Sequence, residues 1–269
     1  MSVKSSFLIA LCIFTPLLFN TPLQAADPVP QCKKDFKDEV RATCIEALKD
    51  DPKAQLQIGR YYAGQLDPSF INYPQAFYWH RRLARLAVHL KLDDPVYSET
   101  MYNTGVFYAD GLGIKQDYQK AFYWFKKAAD RGDDIAMFRL ALIYSDGLGV
   151  TANLQESLNW LKRAVVAGNL DAKVLLAQVY SEGKLVPQNT TIAVKLLREA
   201  VEQNSASANF ALGNYYLHGI EVEKSRITAK NLFGSACRAN LLEACRAYYD
   251  IDTQEENRTV LAPEETALE

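Results

Sequence analysis

The sequence predicts an all-α fold, a solenoid of stacked helical hairpins. Three observations predict it: a 36-residue period, apolar residues at helical spacing inside each period, and glycine or asparagine where each helix must stop. Tyr108, Tyr144, Tyr180 and Tyr216 keep that period, as do Gly111, Gly147, Gly183 and Gly219. So do Ala136, Ala172, Ala208 and Ala244, and Ala128, Ala164, Ala200 and Ala236. Trp124, Trp160, Leu196 and Leu232 hold a fifth phase, and Gly132, Gly168, Asn204 and Asn240 a sixth. A hairpin of two amphipathic helices cannot bury its apolar stripe alone, so successive hairpins must stack on one another.

Taken in chain order, residues 1–25 predict a signal peptide. Lys4 gives the positive start, Phe7 to Phe19 the apolar run, and Leu23-Gln24-Ala25 a small-residue cleavage site, with a cut after Ala26 nearly as good. The run contains Thr15 and Pro16, is followed at once by Asn20, and is shorter than the ~20 residues a membrane span requires. Residues 26–53 are expected to form an N-terminal cap, with an amphipathic helix over 33–50. Five units follow, at 54–98, 99–134, 135–170, 171–206 and 207–240. The first is stretched: Tyr62 to Tyr108 exceeds the period by ten residues, the excess lying between Leu86 and Glu99 as either a longer second helix or a loop. Residues 241–251 are expected to close the stack as a capping helix. From Asp252 to Glu269, six acids against one base and no apolar stripe predict a disordered tail.

Within a unit, Ala136, Leu140 and Tyr144 stand four apart and line one face of a first helix. Gly147 and Gly149 break it. Ser157, Trp160, Leu161 and Ala164 form the stripe of a second helix, and Gly168, Asn204 and Asn240 fall where a left-handed cap is needed.

The stretch Asp134 to Asn169, with A-x-x-x-L-A-x-x-Y-x-x-G-x-G-V and then W-x-x-x-A-x-x-x-G-N, resembles the Sel1-like repeat family, and the resemblance extends over roughly residues 54–251. It implies a right-handed α/α superhelix of tetratricopeptide type, with first helices lining the concave side, and a role in binding proteins. Thr104 in place of leucine, Leu196 and Leu232 in place of an aromatic, and the missing second turn glycine after Gly219 depart from the pattern.

Thirty basic residues stand against 32 acidic ones, a balance that leaves no electrostatic footprint for nucleic acid or an anionic membrane. Past the leader, no further stretch is apolar enough to enter a bilayer. Of the four cysteines beyond it, Cys237 and Cys245 flank the cap at Asn240 and would face each other from successive helices, a pairing that the family's cysteine-rich branch also implies. Cys32 and Cys44 could pair only if the chain before Asp35 folds back, since one straight helix would hold them ~18 Å apart. An even cysteine count with a leader predicts a periplasmic or secreted protein.

Catalytic constellations are weak. Ser181-Glu182-Gly183-Lys184 fits the S-x-x-K pattern of penicillin-recognising enzymes, and some cysteine-rich relatives are linked to β-lactams, so a β-lactam-recognising hydrolase is the alternative function. Yet Gly183 is the repeat's own turn glycine and no K-T-G follows. His80, His89 and His218 lack a metal-ligand spacing and read as surface or groove histidines. The sequence therefore predicts no enzyme and no cofactor or metal. It predicts instead a scaffold whose groove holds a partner protein or peptide. Two positions on each first helix would face that groove: Tyr102, Phe138, Val174 and Phe210, and four residues on, Arg60, Val106, Leu142, Gln178 and Asn214.

Overall fold

The polypeptide stops and starts its helices at polar residues that also keep the 36-residue step. In the computed structural model, which describes residues 38–92 and 94–260, the second helices begin after Asp117, Asn153, Asn189 and Ser225. First helices begin after Asp133, Asn169 and Ser205. Each of these side chains accepts a hydrogen bond from a backbone N–H two or three residues on, for example Ala136 N to Asp133 at 2.7 Å. Such a cap is worth about 1 kcal/mol.

Twelve α-helices result among the described residues, with one 3₁₀ turn at Pro68–Phe70. The cap α1 (Asp38–Leu48) precedes five hairpins. These are α2 (Pro52–Tyr62) with α3 (Tyr73–Leu90), α4 (Pro95–Asp110) with α5 (Tyr118–Ala129), α6 (Asp134–Asp146) with α7 (Leu154–Val166), α8 (Leu170–Glu182) with α9 (Thr190–Val201), and α10 (Ala206–His218) with α11 (Arg226–Arg238). The closing helix is α12 (Leu242–Val260). The first helices of neighbouring hairpins touch, α2 with α4 and α8 with α10, while no two second helices approach to that extent.

Hairpin boundaries follow the expected stops. Gly132, Gly168, Asn204 and Asn240 all adopt positive φ, at 91°, 100°, 61° and 66°. Gly147 and Gly149 do the same between α6 and α7. A Cβ on Gly149 would lie 2.5 Å from the carbonyl carbon of Tyr118, so this glycine lets the turn rest on the start of the preceding hairpin's second helix. In the fifth unit Glu221 takes that place with φ 56°, and its carboxylate accepts hydrogen bonds from Thr190 and Thr191 at the head of α9. Hydroxyl contacts and a carboxylate at a positive helix end replace the close backbone approach.

The core is continuous from Cys44 to Leu176 and runs on in smaller clusters to Ile251. Leu140, Ala136, Ala164 and Leu161 are buried, and Trp124 and Trp160 lie between hairpins at 7 % and 5 % exposure. Side-chain volume is conserved across one phase. Gly105 faces Phe125 and Gly213 faces Phe233, where a Cβ would come within 2.7 Å and 2.6 Å of the ring. In the two central units the same phases hold buried Ala141 with Leu161 and Ala177 with Leu197.

Of the two alternatives for the ten extra residues of the first unit, the structure takes the longer second helix: α3 has 18 residues where the other second helices have 12 or 13, and α4 also lengthens, to 16 against 13 in α6, α8 and α10. Two features depart from the sequence reading. The closing helix α12 does not end at Ile251 but continues to Val260, through a segment with no glycine or proline to stop it. His80 is neither surface nor groove: it is fully buried. It occupies the phase of Phe125 and Phe233, opposite Gly59, because the small glycine leaves room for a ring in the core. Residues 1–37, which include the expected leader and Cys32, and residues 261–269 lie outside the described residues. Among the described residues no helix is long and apolar enough to cross a membrane.

Candidate functional site

The face of the first helices is built from the side chains that the core does not consume. On α6, Ile135 is 46 % exposed while Phe138 and Leu142 are half-buried, each a helical turn from the next. Tyr102 and Val106 on α4, Val174 on α8 and Phe210 on α10 are half-buried in the same way. Each ring or aliphatic side chain presses one side into the stack. Tyr102 meets Phe125 at 5.7 Å between ring centroids, and Phe210 meets Phe233 at 5.6 Å. The ladder is thus both core and surface, since half of each side chain supports a second helix and half faces outward.

The polar positions differ among themselves. Arg60 is committed to structure: its guanidinium grips the Glu99 carboxylate with two hydrogen bonds, Nε at 2.7 Å, and ties the first hairpin to the second. Gln178 is exposed and donates to Glu182 at 2.7 Å, and Asn214 donates to the Phe210 carbonyl at 3.1 Å. At the second of the two positions the face is therefore apolar on α4 and α6, with Val106 and Leu142, and polar on α8 and α10.

The Ser181 to Lys184 stretch lacks the geometry of a nucleophile and its base. Ser181 lies in the last turn of α8, Gly183 ends that helix with φ 67°, and Lys184 beyond it holds Glu182 at 3.0 Å. Among the described residues no hydrogen bond joins Ser181 to Lys184, and no three His, Cys, Asp or Glu side chains gather where a metal could bind. His89 and His218 are exposed at the ends of α3 and α10. His80 donates from Nδ1 to Thr100 Oγ1 at 3.1 Å, the Thr100 hydroxyl hydrogen being spent on the His80 carbonyl at 3.1 Å. Its Nε2 has no partner. Burial, and secondarily the Arg60 charge, lowers its pKa to about 3, so the ring is a neutral core group.

Cys237 and Cys245 form a disulfide with Cα atoms 4.5 Å apart, joining α11 to α12. Cys44 is fully buried and disulfide-bonded; its expected partner Cys32 lies outside the described residues.

With hairpins, caps and period established, five stretches, 52–88, 98–133, 134–169, 170–205 and 206–241, match the Sel1 repeat family. The chain belongs to the Sel1 repeat family. Members of this family generally mediate contacts between proteins and are typically non-enzymatic. Among solved structures, a Sel1 repeat protein from Oxalobacter formigenes is 26% identical with a TM-score of 0.65, covering 79% of this chain and 58% of that one. A protective antigen of uropathogenic Escherichia coli strains with an SLR fold is 27% identical with a TM-score of 0.64, covering 79% of this chain and 43% of that one. The chain thus spans between about two-fifths and three-fifths of these relatives' lengths. It matches no curated protein.

The hairpin caps escaped the sequence reading although their signal was present: Asp117, Asn153, Asn189 and Ser225 keep the 36-residue step. The Arg60 pairing had no local signal, because its partner is 39 residues away.

Proposed function

We propose that this Sel1 repeat protein is an exported scaffold that holds a partner protein or peptide against the face of its first helices. One observation carries the reading: Tyr102, Val106, Phe138, Leu142 and Val174 form a half-buried apolar ladder along the first helices, with Ile135 exposed beside it. An apolar strip with aromatic rings anchored from behind loses little side-chain entropy on binding, which favours its use as a contact surface. The Cys237 to Cys245 bridge supports export, because such bonds persist in oxidising compartments.

A photo-crosslinking residue at Leu142, compared with one at Val166, tests the proposal. Val166 is 90 % exposed on the second helix α7, away from the ladder. Expressed in cells with its leader, the Leu142 probe is expected to give a discrete adduct absent from the Val166 probe. Equal labelling from both, or labelling from Val166 alone, overturns the assignment of the face.

A further inference from the structure

Electrostatics adds what the ladder alone leaves open. Helix C-termini are negative ends and favour cations. The second helices obey: Lys126 and Lys127, Arg163, Arg198 and Arg238 occupy their last turns. Three of the five first helices do the opposite. Asp110, Asp146 and Glu182 are the final residues of α4, α6 and α8, which have no basic residue in the last turn. Each acid sits one turn beyond Val106, Leu142 and Gln178 and so on the ladder's own face.

The chain's near-neutral total hides this segregation, for α4, α6 and α8 carry six acids and only Arg139 and Lys173 as cations. Cations on the second helices have structural work: Lys126 and Arg163 both cover the Trp160 ring, at 5.2 Å and 3.9 Å, and Lys127 covers Tyr123. Glu182 is engaged by Gln178 and Lys184. Asp110 and Asp146 are exposed and, among the described residues, accept no hydrogen bond and enter no ion pair. Two carboxylates thus stand against their own helix dipoles with nothing in the fold to gain from them.

We infer that the partner is an extended, apolar and basic peptide segment, with Lys or Arg side chains on Asp110 and Asp146 and apolar side chains on Tyr102, Val106, Phe138 and Leu142. This deepens the docking role proposed above and rests on it. Packed helices are spaced about 10 Å apart and an extended strand advances about 3.3 Å per residue, so at that spacing the two cations would fall about three residues apart. The chain's own C-terminal residues 261–269, with three acids and no base, carry the wrong sign.

Selection from a random twelve-residue peptide display library against the mature full chain tests the inference. Enriched peptides should carry net positive charge, with Lys or Arg at three-residue intervals beside Leu or Phe. A synthetic copy of the best of them should bind about tenfold more weakly to the Asp110→Asn/Asp146→Asn double variant, the loss of two exposed charge pairs. That variant should melt no lower than the wild type, because the charges removed oppose the helix dipoles. Neutral or acidic binders, or basic ones indifferent to the double variant yet abolished by Leu142→Asp, would refute the basic partner while leaving the docking face intact. Binders indifferent to Leu142→Asp as well, or a library without binders, would remove the docking face itself.

Discussion

Acidification should loosen the first hairpin, and the cause is one ring. His80 is fully buried between α2 and α4, with Gly59 on one side and Thr100 on the other. The charged group that acts on it is Arg60 from α2, whose guanidinium is paired with Glu99 of α4. Its pKa falls from 6.5 to about 3 on folding. The unfolded chain takes up this proton first, so the stabilising contribution is complete above pH 6.5 and is lost as pH falls from there toward 3. The slope is about 1.4 kcal/mol per pH unit, which gives a loss of about 2 kcal/mol by pH 5. His80→Phe should abolish this loss, since phenylalanine at the same phase already sits against Gly105 and Gly213 in other units. The Thr100 hydroxyl keeps its bond to the backbone carbonyl of residue 80. In a solenoid each hairpin leans only on its neighbours, so hydrogen exchange of the α2 to α4 amides reports this better than a global melt. Protection there should drop about thirtyfold between pH 7 and 5 in the wild type, after correction for intrinsic exchange, and stay level in His80→Phe. Equal drops in the two proteins would refute the assignment to His80.

Other outcomes follow from the same packing. Gly105→Ala should destabilise by about 1 to 3 kcal/mol through overpacking against Phe125, and adding Phe125→Leu should recover much of it, since Ala141 with Leu161 fill the same phases; urea unfolding of the single and double variants checks the coupling. Asn204→Ala should cost about 1 kcal/mol because residue 204 holds φ 61°, whereas Asn204→Gly should cost nothing; thermal melts decide. Removing the Cys237 to Cys245 bridge with Cys→Ser substitutions should cost about 2 to 3 kcal/mol in the chain-entropy account. The loss should appear as faster hydrogen exchange across α11 and α12 first, and exchange unchanged there would contradict the role of the bridge.

The sequence alone determined the hairpin and its repetition, because both are set locally. Gly132, Gly168, Asn204 and Asn240 announce the stops through a conformation few residues accept, and the alanine and tyrosine phases announce the faces through helical spacing. That Phe125 with Gly105 fills the same space as Leu161 with Ala141 emerged only from the packing. Only the tertiary structure decided how much of each face remains outside. Tyr102 and Phe210 read as groove residues and prove half-committed to Phe125 and Phe233. Arg60 reads as groove and is spent on Glu99, and His80 reads as surface and is core. These outcomes depend on which hairpin lies alongside, a relation between residues tens of positions apart that a helical period does not encode. The charge arrangement obeys the same logic: thirty bases against 32 acids look balanced in a list, yet α4, α6 and α8 carry six acids against two bases.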